Sequence, residues 1–203
     1  MTAECRVVVM ARAPVPGKTK RRLIPAIGAE RAAALHRVMI CCAVSSALAS
    51  GVGPVELWCT PNTDHEVFRT LQRRLQVELR TQVGTDLGTR MHAASEARPG
   101  AAAIIGTDCP FLEPGDLVRS AGILGSSDAD VVIVPALDGG YVLIAVDRPR
   151  PQLFAQVDWG SGRVLAQTRE RARSARLRLQ ELEPRRDVDR PEDLESLDGV
   201  LSW

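Results

Sequence analysis

Asp108 stands just beyond a wholly apolar run, Ala101–Ile105, in the segment Ile105-Gly106-Thr107-Asp108-Cys109-Pro110. A carboxylate so placed is held rigidly at a sheet edge, where a hard cation such as Mg2+ finds oxygen ligands and keeps substrate phosphates as its other partners. The plainer role, capping the turn before Pro110, explains less. Asp187 and Asp189 form a second acidic group. In an extended segment, residues two apart face the same side, roughly 6–7 Å apart along the strand, so this pair can hold one cation or bridge two. Asp189 could also cap a helix starting near Pro191; Asp187 has no such duty. Asp108, Asp187 and Asp189 are therefore the expected ligands of Mg2+ (or Mn2+), provided that they converge within about 10 Å.

Arg12-Ala-Pro-Val-Pro-Gly17-Lys18-Thr19-Lys20-Arg21-Arg22 places five basic residues in eleven positions directly after the first apolar run. Amides near Gly17 can approach phosphate oxygens closely, while Lys and Arg neutralise their charge. The run is not a Walker A loop: its first glycine would fall on Arg12, and Pro14 and Pro16 remove amides that a phosphate nest needs. A solvated basic loop is the bland reading, but its place at a strand's carboxyl end favours phosphate binding. In Gly84-Thr85-Asp86-Leu87-Gly88-Thr89-Arg90, Asp86 can cap a helix with Arg90 one turn on, so the segment alone says little. Asp138-Gly139-Gly140 can be a tight turn, a close approach of backbone to a ligand, or both.

The elements that must position these groups alternate in type. Apolar runs at Arg6–Met10, Val55–Cys59, Ala101–Ile105, Asp130–Val134 and Tyr141–Val146 read as strands, with weaker ones at Leu75–Arg80 and Arg176–Leu182. Between them, helical spacing covers Glu30–Ser50, 64–74, 86–97, Pro114–Leu124 and about 163–173, with a closing helix from Pro191. Residues 11–23 read as a loop. Such alternation predicts a mostly parallel sheet covered by helices on both faces, with ligands outside the carboxyl ends of the strands. Three of the polar clusters begin where a strand ends.

Composition narrows the function. The 203 residues fit one domain, 1–203. A net charge of +1 gives no global pull toward nucleic acid or an acidic membrane, and 3% aromatic residues leave little to stack bases. The Arg-rich tract 163–178 is interrupted by Glu170 and reads as a solvated face. Five cysteines without C-x-x-C spacing read as reduced core thiols, and His36, His65 and His92 are too scattered to ligate metal. No signal-peptide pattern and no stretch of about 18 apolar residues is apparent, so a cytoplasmic protein is expected.

Taken together, these segments resemble the DUF2064, or "transferase 1, rSAM/selenodomain-associated", family of the nucleotide-diphospho-sugar transferase superfamily. The resemblance rests on Ala-Pro-Val-Pro-Gly-Lys18 with Lys20 and Arg22-Leu23, Asp86-Leu-Gly88 with Arg90-Met91, and Ile105-Gly-Thr-Asp108-Cys-Pro110. Asp138-Gly-Gly-Tyr141, Asp158-Trp159, and Asp187-Val-Asp189 with Pro191-Glu-Asp193-Leu194 complete it. It implies a Rossmann-like three-layer α/β/α sandwich with a mixed, mostly parallel sheet, the GT-A fold. More distantly the chain is similar to 2-phospholactate/phosphoenolpyruvate guanylyltransferases, which implies phosphate binding by Lys20 and Arg22 and metal binding by Asp108, Asp187 and Asp189. Arg12, Arg21 and Gly160 depart from the family's usual Lys, Thr and Ser.

The expected activity is Mg-dependent nucleotidyl transfer from an NTP to a small anionic acceptor, with Lys20 and Asp108 as catalytic residues. Arg12, Gly17, Lys18, Lys20, Arg22, Asp86, Arg90, Asp138, Gly139 and Gly140 would contact the nucleotide. The rivals are glycosyl transfer from an NDP-sugar and a non-catalytic nucleotide-binding module.

Overall fold

The structure, a computed structural model, describes residues 4–197. β1 (Cys5–Arg12) runs through the middle of the sheet, and its alternating side chains serve both faces. Val7, Val9 and Ala11 face one apolar layer, Val8 and Met10 the other. The strand is longer than its apolar run. Parallel pairing of Ala11 with Cys59 and Arg12 with Thr60 draws both residues out of the expected loop.

The chain continues through α1 (Ile24–Ile27), α2 (Ala29–Ser50), β2 (Val55–Thr60), α3 (Glu66–Leu75), β3 (Glu78–Thr81), α4 (Leu87–Glu96) and β4 (Ala101–Ile105). It then passes through α5 (Pro114–Gly125), β5 (Val131–Pro135), β6 (Tyr141–Val146), α6 (Val164–Ser174) and β7 (Leu179–Glu181). A 3-10 turn covers Pro151–Leu153, and a 3-10 helix at Pro191–Leu197 replaces the closing α-helix that was expected. β3 starts later than its alternation implied, because Leu75 ends α3 and Gln76 turns into the left-handed region.

The seven strands lie in the order β3-β2-β1-β4-β6-β5-β7. β6 is antiparallel to β4 and β5, and the remaining pairs are parallel, so the sheet is mixed. α2, α3 and α5 cover one face through Val44, Phe68 and Leu117; α4 and α6 cover the other through Met91 and Leu165. This is the three-layer α/β/α sandwich expected from the sequence. Each fully buried Val or Leu contributes about 1.5–3 kcal/mol, which is how a chain poor in aromatic residues holds its core.

α2 needs a correction to the sequence reading. Its 22 residues are, by length and composition, apolar enough to cross a membrane. Its buried stripe, including Leu35, Met39, Ile40 and Val44, packs on the sheet and α5, as a core helix does.

The two ends of the sheet are built differently. At the amino ends of the strands, buried Glu56 meets Arg6 (3.1 Å), Arg98 (3.2 Å) and Arg80 (3.5 Å) and accepts a bond from Trp58 Nε1. Arg6 also donates to the carbonyls of Ala94 and Ser95, tying down the end of α4. That cluster is a clamp. At the opposite edge end β1, β2, β3, β4 and β5, and there the polar loops meet.

Candidate functional site

The segment after β7 crosses this edge as a strap. Arg185 pairs in parallel with Ala136 and donates two bonds, 3.0 and 2.9 Å, to Asp116, a fully buried carboxylate at the start of α5. Burial, the largest single influence, raises the Asp116 pKa, but the bonds and charge of Arg185, the Glu113 amide and the charge of Arg119 together outweigh it and hold the carboxyl below its usual range. Three residues on, Val188 is 0% exposed in a small apolar cluster with Leu23, Leu35 and Met39. Its N–H donates 2.8 Å to the carbonyl of Asp108. Alternation along the strap therefore buries Val188 and leaves Asp187 and Asp189 in the cleft on either side of it. The three aspartates expected to meet are neighbours here.

Lys20 completes the anchor. Its side chain is 3% exposed, and Nζ lies 2.7 Å from Asp108 Oδ1 and 2.5 Å from the Val188 carbonyl. The residue has a positive φ of 46°, which turns the side chain inward from the basic loop. Desolvation, the largest single influence, pushes the Asp108 carboxyl up, but the charge and hydrogen bond of Lys20 together with the other groups around it, Arg12 among them, outweigh it in sum. Asp108 is thus held below the ordinary carboxylate range. Asp187 goes the other way, raised by desolvation and by the charges of Asp138, Asp193 and Asp108. Arg22 is ion-paired with Asp189.

Two cavities open side by side at this edge, sharing Met10, Arg22, Leu87, Gly106, Asp108 and Asp189. The larger, about 760 Å3, carries Arg12, Lys18, Arg21, Asp86 and Arg90. Gly17 is exposed and does not line it. Asp86 caps α4, accepting from Thr89 N at 2.9 Å, and Arg90 Nε braces the Gly84 carbonyl at 3.0 Å. The Thr89 amide lowers the Asp86 pKa. The smaller cavity, about 290 Å3, is lined by Asp138, Gly140, Tyr141, Trp159 and Asp187, with Met91 and Val142 in its wall. Asp138 Oδ1 accepts from Gly140 N at 2.9 Å. Gly139 is a packing position: with φ at 90°, any Cβ there would lie 2.2 Å from the Gly162 carbonyl.

Several site residues escaped the sequence reading. His36 is buried under the cleft; its Nδ1 meets Thr19 Oγ1, and its Nε2 lies 3.2 Å from Thr107 Oγ1. It links the basic loop to the Asp108 loop. Desolvation dominates its lowered pKa of about 4, so the ring is neutral. The signal was its position on the apolar stripe of α2 with Ala32, Leu35 and Met39. Tyr141 and Trp159 meet edge to face at 6.4 Å. Trp159 needs Gly88, where a Cβ would lie 2.5 Å from its Nε1.

Carboxylate oxygens suit Mg2+ or Mn2+, and the mutual repulsion around Asp187 is a field that a divalent ion relieves. The donor set fits in type. Among the described residues, however, no three His, Cys, Asp or Glu side chains already converge as a metal site. Asp108 and Asp189 are engaged by Lys20 and Arg22 instead.

This sheet, with its polar edge, is that of the nucleotide-diphospho-sugar transferase fold. A provisionally named nucleotide-diphospho-sugar transferase from Desulfovibrio desulfuricans G20 is 29% identical, with a TM-score of 0.84 over 96% of this chain and 86% of that one. CMP:2-keto-3-deoxy-manno-octonic acid synthetase complexed with CTP (15% identity, TM-score 0.63, 97% and 98% of the two chains) shares the fold alone. So does Rv0371c from Mycobacterium tuberculosis H37Rv, in complex with manganese (16%, 0.59, 98% and 100%). No curated protein matches the sequence. The chain belongs to the family described as an uncharacterized protein conserved in bacteria (DUF2064), whose model matches residues 43–161. That range includes Asp86, Arg90, Asp108 and Asp138; the basic loop and the strap lie outside it.

Proposed function

We propose that this chain is a divalent-metal-dependent, nucleotide-binding transferase that moves an NMP group from an NTP to a small acceptor in the cytoplasm. One observation carries the reading. Arg12, Lys18, Arg21, Arg22 and Arg90 line one cavity, and that cavity opens onto the aspartate cluster at the sheet edge. Four or five cations around one cleft suit a triphosphate, whose charge a single pair would not balance. The CTP complex and the manganese complex among proteins of this fold agree with it.

Asp108, Asp187 and Asp189 would hold Mg2+ or Mn2+, which when bound supplies charge neutralisation at the phosphate oxygens. The acceptor oxygen bonds to the α-phosphorus, the bond from that phosphorus to the bridging oxygen breaks, and pyrophosphate leaves with the electron pair. The hydroxyl proton passes to water. Arg12, Lys18 and Arg90 stabilise the charge that builds on the leaving pyrophosphate. Lys20 is a positioning residue: buried against Asp108 and Val188, it fixes the acidic cluster. Arg22 is the hinge of the arrangement, since it can release Asp189 to a cation and turn to phosphate.

Glycosyl transfer from an NDP-sugar is the second reading, favoured by the aromatic, carboxylate-lined smaller cavity and by the Desulfovibrio relative.

Thermal shift with NTPs and nucleotide sugars, with and without Mg2+, tests both. A nucleotide at 100 times its Kd stabilises by about 2.7 kcal/mol, or about 5–10 °C for a chain of this size. Pyrophosphate release with NTP plus acceptor supports the first reading; NDP release supports the second. If no nucleotide stabilises the protein with Mg2+ present, both are wrong.

A further inference from the structure

A nucleotide bound as proposed above needs a place for its base as well as for its phosphates, and this inference rests on that reading. Along the sheet edge the larger cavity changes character. Arg12 and the basic loop follow β1, whereas on the far side of β1 from Asp108 the cavity reaches Thr60 at the end of β2 and Gln82 just after β3. Most of the uncharged polar side chains along its wall are already engaged. Thr19 and Thr107 are bonded to His36, and Thr85 donates to Asp86 at 3.4 Å. Thr60 and one end of Gln82 remain.

Gln82 is held at three points. Its main-chain N–H donates to the Cys59 carbonyl at 2.9 Å, and Nε2 donates to the carbonyls of Ala11 at 3.1 Å and Trp58 at 2.8 Å. A carboxamide nitrogen has two hydrogens, and both are used. The orientation is forced as well, because the flipped amide would set its oxygen against two carbonyl oxygens. Oε1 therefore faces away from both carbonyls, and among the described residues no donor reaches it. Half-buried on the cavity wall, the side chain can accept one more bond and cannot donate any.

That polarity selects among bases. Cytosine, adenine and guanine each carry an exocyclic amino group whose hydrogens suit an acceptor. Uracil and thymine set their ring N–H between two carbonyl oxygens, which would crowd a lone acceptor and find no donor on Gln82. We propose that Gln82 reads the nucleobase, its Oε1 accepting from the exocyclic amino group. The nucleotide is then one of cytosine, adenine or guanine, and not of uracil or thymine. The strand-end carbonyls fix the amide before the base arrives, so little ordering is left to oppose binding.

The test is calorimetric titration of the full chain with nucleotides and Mg2+. Each amino-bearing triphosphate is compared with a counterpart that lacks the amino group: CTP with UTP, and ATP and GTP with ITP. The tightest of the three should exceed its counterpart by about tenfold or more, since a site built to meet an N–H rejects the analogue without it. Gln82→Lys removes the acceptor while its ammonium can still donate to Ala11 and Trp58. The added charge should tighten every triphosphate alike, so the ratio within a pair is the readout, and it should fall toward one. A counterpart that binds as tightly as its amino partner, or a ratio that Gln82→Lys leaves unchanged, overturns the proposal. The wild-type comparison stands by itself if the variant does not fold. Binding of no nucleotide defeats the proposed function and this inference together; binding without an amino preference defeats this inference alone.

Discussion

Replacing Lys20 by methionine tests whether the strap and the Asp108 loop are joined by a buried cation. Methionine keeps the length and most of the volume, so the change isolates the charge. Nζ is lodged between Asp108 Oδ1 at 2.7 Å and the Val188 carbonyl at 2.5 Å, with the Lys20 side chain 3% exposed. Removing one partner of a fully buried pair costs about 3–5 kcal/mol. Asp108 is 55% exposed, so water screens the stranded carboxylate and the expected cost falls to about 2–3 kcal/mol, including about 1 kcal/mol for the unsatisfied Val188 carbonyl. At about 2–4 °C per kcal/mol for a chain of this size, Tm should drop by about 5–10 °C. The assay is urea unfolding of wild type, Lys20→Met, Asp108→Asn and the double variant. A coupling energy of about 1–2 kcal/mol between the two sites is expected. A loss under about 0.5 kcal/mol for Lys20→Met, with no coupling, would refute the anchor and return Lys20 to the pool of free phosphate ligands.

The remaining predictions concern the cleft floor and its wall. His36 has a folded pKa near 4 against an ordinary 6.5. The unfolded chain therefore binds the extra proton first as pH falls: stability is full above 6.5 and declines toward 4, by about 3 kcal/mol in all. His36→Gln should flatten that slope in denaturation curves taken between pH 4 and 7, and an unchanged slope would contradict the assignment. Gly88→Ala forces a Cβ within 2.5 Å of Trp159 Nε1 and 2.6 Å of the Phe154 carbonyl. It should cost about 1–3 kcal/mol and shift the Trp159 emission to the red; a wild-type spectrum and stability would disprove the packing.

The fold was largely legible because its strands are apolar runs bounded by Gly, Pro and polar clusters. Arg6–Met10, Ala101–Ile105 and Tyr141–Val146 need no tertiary information to be read as buried strands. β3 and β7 were less sharp because they are short, edge-ward and polar, so pairing rather than pattern sets their ends. The antiparallel direction of β6 was not legible, since Asp138-Gly139-Gly140 is equally a hairpin turn or a ligand loop. At the site, residue type and strand-end position picked out Asp108, Asp187 and Asp189, which line one cavity at the sheet edge, though among the described residues no three acidic side chains converge as a metal site. Direction of side chains could not be read from type. Lys20 looks like its neighbours Lys18 and Arg21, yet a positive φ turns it inward to bind a carboxylate. His36 looked isolated because its partners, Thr19 and Thr107, are 17 and 71 residues away.

The Val188 plug carries a temporal consequence. It joins residue 188 to Lys20 and to Asp108, closures spanning 168 and 80 residues. Such distant closures are expensive in chain entropy and come late on a folding pathway. The ribosome releases the plug after the whole sheet has been synthesised. A nascent or refolding chain can therefore own a finished β-scaffold and still lack two of its three aspartates in register, so competence to engage polyphosphate should trail the recovery of helical and strand signal.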